Sequence, residues 1–176
     1  MDRQKHKEFM GWLEACRKPL MNYIRYNLWN KEQLEDGFQN TVLEGWRKFA
    51  SFSGDEKWFR AWMFHIANNV VRNLNRAYIK AKEAPRGDEV APETPQAFDS
   101  LPSVLDTMED KVKESVTALP DNEREVFLLR SVGEFSYEEI AKIMDIPMGS
   151  VMGYLARART KLKEKLYEYA REYKYI

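Results

Sequence analysis

Apolar residues recur at every third or fourth position along most of this chain. Phe59, Trp62, Met63, Ile66, Val70 and Leu74 would share one side of a helix, and so would Val151, Leu155, Ala158, Leu162 and Leu166. Leu34, Phe38, Val42 and Trp46 make a third stripe, and Trp12, Tyr23, Ile24 and Leu28 supply packing residues ahead of it. No stretch alternates apolar and polar residues over a useful length. The pattern therefore predicts an all-α fold without a sheet. It is interrupted once at length, by "EAPRGDEVAPETPQAFDSLPSVLDTMED", which holds four prolines, eight acids and one base, Arg86. Such a composition buries little and reads as a tether. The expected organisation is two small helical domains, 1–82 and 108–176, joined by an acidic flexible linker over 83–107.

The second domain carries a sharper signal in "SYEEIAKIMDIPMGSVMGYL". Ser136 is a good N-cap, and Glu139 three residues on completes a capping box. Ile140, Ile143 and Met144 form the buried stripe of a short helix, which Pro147 ends by lacking an N–H and biasing Ile146 away from helix. Ser150 is expected to cap a second helix. On it Ser150, Tyr154, Arg157 and Lys161 share an outward flank, with Arg159 and Lys163 on the other side of the stripe. Two helices, a tight turn and a basic outer face make a helix-turn-helix, whose second helix fits a major groove. Its basic residues would reach phosphates, and each such contact releases counterions.

The first domain has its own anomaly. From Lys57 to Lys82 there is no Asp or Glu, but there are six Lys or Arg residues. His65, Asn68, Asn69, Arg72, Asn75 and Arg76 are expected on the face opposite the apolar stripe. Asparagine is a poor helix former, so four between Asn68 and Asn75 mark a local inconsistency of the kind functional sites carry. Amides can hydrogen-bond base edges, while arginines hold phosphates or stack on bases, which suits single-stranded DNA.

Composition narrows the choice. Lys plus Arg (28) balance Asp plus Glu (28), so basic surface must be local rather than a uniform coat. The single cysteine, Cys16, excludes an internal disulfide and fits a reducing compartment as a small buried thiol. Only His6 and His65 accompany it, at no metal-ligand spacing, so neither a metal nor a cofactor is expected. No apolar run approaches the roughly 20 residues of a membrane span, and the N-terminus lacks a signal-peptide apolar region. A cytoplasmic protein without membrane insertion is the expectation. No Ser/His/Asp order, Gly-rich phosphate loop or metal motif appears, so an enzyme is not expected.

Leu119-Pro120, Glu125-Val126-Phe127, Ser136-Tyr137-Glu138-Glu139-Ile140-Ala141, Ile146-Pro147, Gly149-Ser150-Val151 and Arg157-Ala158-Arg159 occur in order. With them the segment resembles region four of bacterial RNA polymerase sigma factors, closest to the small extracytoplasmic-function (ECF) group of the sigma-70 family. Phe59-Arg60-Ala61-Trp62, Ile66-Ala67, Asn69 and Arg76 resemble the region-two helix of the same family. "LEDGFQNTVLEGWRKF", through Asp36, Gln39, Thr41 and Trp46, resembles the helix that docks on the β′ coiled coil of polymerase.

The resemblance implies a transcription initiation factor that binds core RNA polymerase through its β′ and β subunits, recognises promoter DNA and helps melt it. His65, Asn68, Asn69, Arg72, Asn75 and Arg76 would then bind the minus-ten strand, with the loop "ASFSGDEK" lining a base pocket near Asn69. Ser150, Met152, Tyr154, Arg157, Arg159 and Lys161 would bind the minus-thirty-five duplex. Glu35, Asp36, Gln39 and Asn40 would contact polymerase. The acidic linker would thread the polymerase cleft, mimicking nucleic acid, and an anti-sigma factor becomes a further expected partner. Met152, Gly153 and Tyr154 depart from the basic or small polar residues common at those positions. Two alternatives stay open: a helix-turn-helix regulator acting on duplex DNA without polymerase, and a module that binds only protein.

Overall fold

The computed structural model of the chain describes residues 3–83 and 110–172. The chain divides into two compact units, Met1–Gln96 and Ala97–Ile176. Every regular element among the described residues is helical. The acidic linker and the last residues of the Tyr-rich tail, 173–176, lie outside them.

The first unit is built from α1 (Arg3–Asn27), α2 (Leu34–Lys48) and α3 (Glu56–Glu83). Phe9, Leu13, Cys16, Leu20, Tyr23, Ile24 and Asn27 follow each other at helical spacing along α1, and all are buried. Asn30 opens the turn into α2, its side-chain oxygen accepting from the Glu32 amide at 3.1 Å. Gly45 lets α2 approach α3 closely, since a Cβ there would lie 2.7 Å from Met63 Sδ. Beyond a short 3-10 turn, Phe49–Ser51, Asp55 accepts from the Trp58 amide at 3.0 Å and starts α3.

The core of α3 is wider than one stripe. Phe59, Met63 and Ile66 are buried as expected, but so are Ala61, Phe64, Ala67, Asn68 and Val71, while Trp62, Val70 and Leu74 are only half-buried. The reason is that α3 packs against both α1 and α2 and must bury two flanks. Below the loop that precedes it, aromatic rings cluster in edge-to-face and tilted pairs. Phe9 meets Phe49 and Trp46 at 5.2 Å, Trp12 meets Phe59 at 5.4 Å, and Phe52 meets Trp62 at 4.8 Å.

The second unit comprises α4 (Asp110–Thr117), α5 (Asp121–Ser131), α6 (Tyr137–Met144) and α7 (Met148–Glu172). The other three helices pack on α7, and the core is aliphatic: Val126, Leu128, Leu129, Ile140, Val151, Leu155 and Ala158 are all essentially inaccessible. Leu166 at the end of the predicted stripe is half-buried.

The capping box forms as expected. Ser136 Oγ accepts from the Glu139 amide at 3.3 Å, and a Glu139 carboxylate oxygen accepts from the Ser136 amide at 2.8 Å. The start of α7 differs from expectation. The helix begins at Met148, not after Ser150; the Pro147 carbonyl accepts from the Ser150 amide at 2.9 Å. Pro147 stands just before α7, and its carbonyl accepts the first bonds of that helix, so it stops α6 and starts α7 within three residues. Asp145 makes the reversal in the left-handed region, φ 54° and ψ 51°.

Candidate nucleic-acid interfaces

The amide-rich helix sorts into two sets. Asn68 is buried, and its Oδ1 accepts from the Tyr23 hydroxyl at 2.9 Å. Asn75 Oδ1 accepts from the Trp29 amide at 2.9 Å, and its Nδ2 donates to the Asn27 carbonyl at 2.8 Å. Both therefore leave the predicted outward face. They stitch α3 to α1 and to the connection that follows it. A signal for this was present: Ala61, Phe64, Asn68, Val71 and Asn75 recur at helical spacing, so the two amides continue an apolar stripe.

What remains is a continuous band. His65 and Arg72 are half-buried, Asn69 and Arg76 exposed, and the four follow one another at spacings of four, three and four residues. Asn69 Nδ2 lies 3.1 Å from His65 Nε2, and Arg76 donates to Asn73 Oδ1 at 3.4 Å. In phase with them, seven residues before His65, stands Trp58, which is 46% exposed. It was not among the expected site residues. Its in-phase spacing with His65 and Arg72 was the available sign. The loop of residues 50–57 folds around Phe52 onto Trp62. Asn69 sits two turns beyond Trp62 on α3, roughly 10 Å along the axis.

On α2, Glu35, Asp36, Gln39 and Asn40 are all exposed, with Gln39 donating to Glu35 at 3.2 Å. Leu43, 51% exposed, extends that face by one turn and adds an apolar group that the stripe analysis left out. Leu34, Val42 and Trp46 are half-buried, and Phe38 is core.

The flank of α7 expected to face outward keeps Arg157 exposed but also borders α5. Tyr154 is half-buried, its hydroxyl accepting from Asn122 Nδ2 at 3.4 Å. The Arg157 guanidinium lies over the Tyr154 ring at 4.9 Å. Arg157 Nε donates to Glu123 at 3.2 Å, and Lys161 Nζ lies 2.9 Å from the other oxygen of that carboxylate. Ser150 is half-buried in the first turn, whereas Met152 and Arg159 are exposed. Glu123 was not anticipated. It precedes Val126 by three residues, in phase with the buried face of α5, and that placement was the only hint.

Cys16 is buried, and desolvation pushes its thiol up to about 11. At neutral pH it stays protonated and behaves as a small packing residue. Among the described residues no cluster of three or more His, Cys, Asp or Glu could hold a metal ion, and no helix is long and apolar enough to cross a membrane.

Comparison with known proteins bears on the chain as a whole. Residues 109–162 match the family described as Sigma-70, region 4. The chain is 28% identical over 149 residues to the ECF RNA polymerase sigma-E factor of Haemophilus influenzae, covering 78% of this chain and 76% of that one. With the Escherichia coli protein of the same name it shares 28% identity over 139 residues, 74% of this chain and 72% of the relative. Among solved structures, the fold resembles the sigma factor RpoE of Bartonella quintana, crystallised with the anti-sigma factor NepR. The TM-score is 0.67 at 24% identity, with 94% of this chain and 98% of that one covered. It also resembles CnrH in complex with the cytosolic domain of CnrY, at a TM-score of 0.63 and 22% identity over 91% of this chain and 88% of that one.

Residues 109–162 thus carry a sigma-70 region 4 domain, and the chain is similar to transcription initiation factors of the sigma-70 class, a class of non-enzymatic factors. Across both units the similarity is to extracytoplasmic-function sigma factors, at 28% identity over about three quarters of the chain.

Proposed function

We propose that the two units divide promoter recognition and opening between them, in the cytoplasm and with core RNA polymerase as the catalyst. The chain itself performs no chemistry. It is expected to fall into a promoter-binding domain over 1–82, a linker over 83–107 and a second binding domain over 108–176. The exposed face of α2 (Glu35, Asp36, Gln39 and Asn40, with Leu43 as an apolar anchor) is the polymerase contact. The second unit meets the upstream duplex through Ser150, Met152 and Arg159 and the guanidinium of Arg157. An anti-sigma protein is a fitting regulator, since the Bartonella quintana relative was crystallised with one.

The observation that carries this reading is the band on α3. Trp58, His65, Asn69, Arg72 and Arg76 share one face of a helix that has no carboxylate between Lys57 and Lys82. A duplex-only regulator has no use for it. An exposed aromatic ring at one end and guanidiniums at the other suit an unstacked base and its phosphates: base stacking on an aromatic side chain contributes about 1–3 kcal/mol.

The test has two stages. The chain should co-elute with bacterial core RNA polymerase on size exclusion, and Arg72→Ala with Arg76→Ala should preserve that co-elution. On a promoter template, the same double variant should lose permanganate reactivity of unpaired thymines. Normal reactivity would remove the band from strand binding, and no co-elution of the folded wild type would favour the duplex-only regulator.

A further inference from the structure

Glu123 is an acid placed against a helix that is meant to meet phosphates. Its side chain is 7% exposed, while those of Arg157 and Lys161 are 54% and 43% exposed. Both bases reach the one carboxylate, Arg157 at 3.2 Å and Lys161 at 2.9 Å. Tyr154 lies beneath Arg157 and is itself held by Asn122. A buried carboxylate stripped of its partners is strongly unfavourable, so these pairs resist exchange. The three groups together carry one positive charge instead of two.

The spacing on α7 makes the consequence directional. Tyr154, Arg157 and Lys161 lie on one flank of the buried stripe, against α5. Met152, Arg159 and Lys163 lie on the other, and all three are exposed.

We infer that Glu123 is a positioning residue for duplex recognition. It clamps Arg157 and Lys161 to the body of the second unit, offsets one of their charges, and leaves the Met152–Arg159–Lys163 flank as the leading contact with DNA. The inference rests on the duplex-binding reading above. It makes the electrostatic part of binding smaller than the count of basic residues on α7 suggests, because each phosphate neutralised adds about 0.9 to the slope of log K against log salt.

The experiment uses the full chain and a mixed-sequence DNA duplex, with affinity measured by fluorescence anisotropy across a salt series. Glu123→Gln keeps an acceptor for Arg157 but removes the charge. It should steepen the slope by about one to two phosphates and tighten binding several-fold at low salt. Glu123→Asp keeps the charge and should retain the wild-type slope. A glutamine variant that melts like the wild type yet shows its slope, or a shallower one, overturns the inference. Should the glutamine variant not fold, the Arg157 Nε–H resonance of the wild type decides. Slow solvent exchange that persists when duplex is added supports the clamp, and rapid exchange overturns it. A wild type that binds no duplex at any salt overturns the duplex reading itself, an outcome distinct from binding with an unchanged slope.

Discussion

The two units bury their polar groups in different ways. The first hides neutral amides and hydroxyls: Asn22, Asn27, Thr41 and Asn68. The second hides mainly charges, Glu123, Arg124 and Glu125, beside one hydroxyl, Ser115. The surrounding cores differ in the same sense, aromatic in the first and aliphatic in the second. An amide needs only a partner of matching geometry, whereas a charge needs a counter-charge and several donors or acceptors. The first unit can therefore meet such a need with a single partner, as Tyr23 does with Asn68, Asn27 with the Tyr23 carbonyl and Thr41 with the Gly37 carbonyl. The second needs networks, such as Glu123 with two bases, or Arg124 with two carbonyls and a carboxylate.

That contrast ranks the expected effects of mutation. The largest falls on Arg124, which is buried and donates to the Thr117 carbonyl at 3.2 Å and the Leu119 carbonyl at 2.9 Å while pairing with Asp121. Arg124→Met should leave those acceptors without a donor and cost about 3 kcal/mol, read as a lower urea midpoint. An unchanged midpoint would mean that water replaces the guanidinium at no cost, and the distinction between the units would collapse.

A smaller and more discriminating effect is expected at the amide pair. Asn68→Leu alone should cost about 1–3 kcal/mol, because the buried Tyr23 hydroxyl then loses the Asn68 acceptor. Adding Tyr23→Phe should recover most of the loss, since removing both partners removes the unmet need. A double-mutant cycle measures this; additive losses would show that the two residues act separately.

The smallest effect should have the opposite sign. A Cβ at Gly153 would meet only Arg157 Nη1, at 3.4 Å, which is ordinary contact. Gly153→Ala should raise the melting temperature, gaining up to about 1 kcal/mol of helix propensity. A fall would show that Arg157 cannot give way, and that its stacking on Tyr154 is tighter than the geometry indicates.

The helical class, the capping box at Ser136 and the stripe from Val151 to Leu162 were legible because each is a local pattern, set by spacing within one helix. Less legible were the facts that depend on what lies across a helix. Asn68 and Asn75 look like surface residues until Tyr23 and Asn27 are brought beside them. Arg157 and Lys161 look like outward bases until α5 supplies Glu123. The proline at the α6–α7 turn was legible as a stop, but its carbonyl also starts the next helix, which a Ser150 cap would have placed later. Polar residues in phase with apolar ones were the common sign behind these misreadings.

The aromatic cluster of the first unit also has an optical consequence. All five tryptophans of the chain, Trp12, Trp29, Trp46, Trp58 and Trp62, lie before the linker, and Trp12, Trp46 and Trp62 stand within the ring cluster. Intrinsic emission excited at the indole band therefore watches one unit, while far-ultraviolet ellipticity watches both. The protein carries its own dye on one half only, and the order in which its halves melt can be followed without a label.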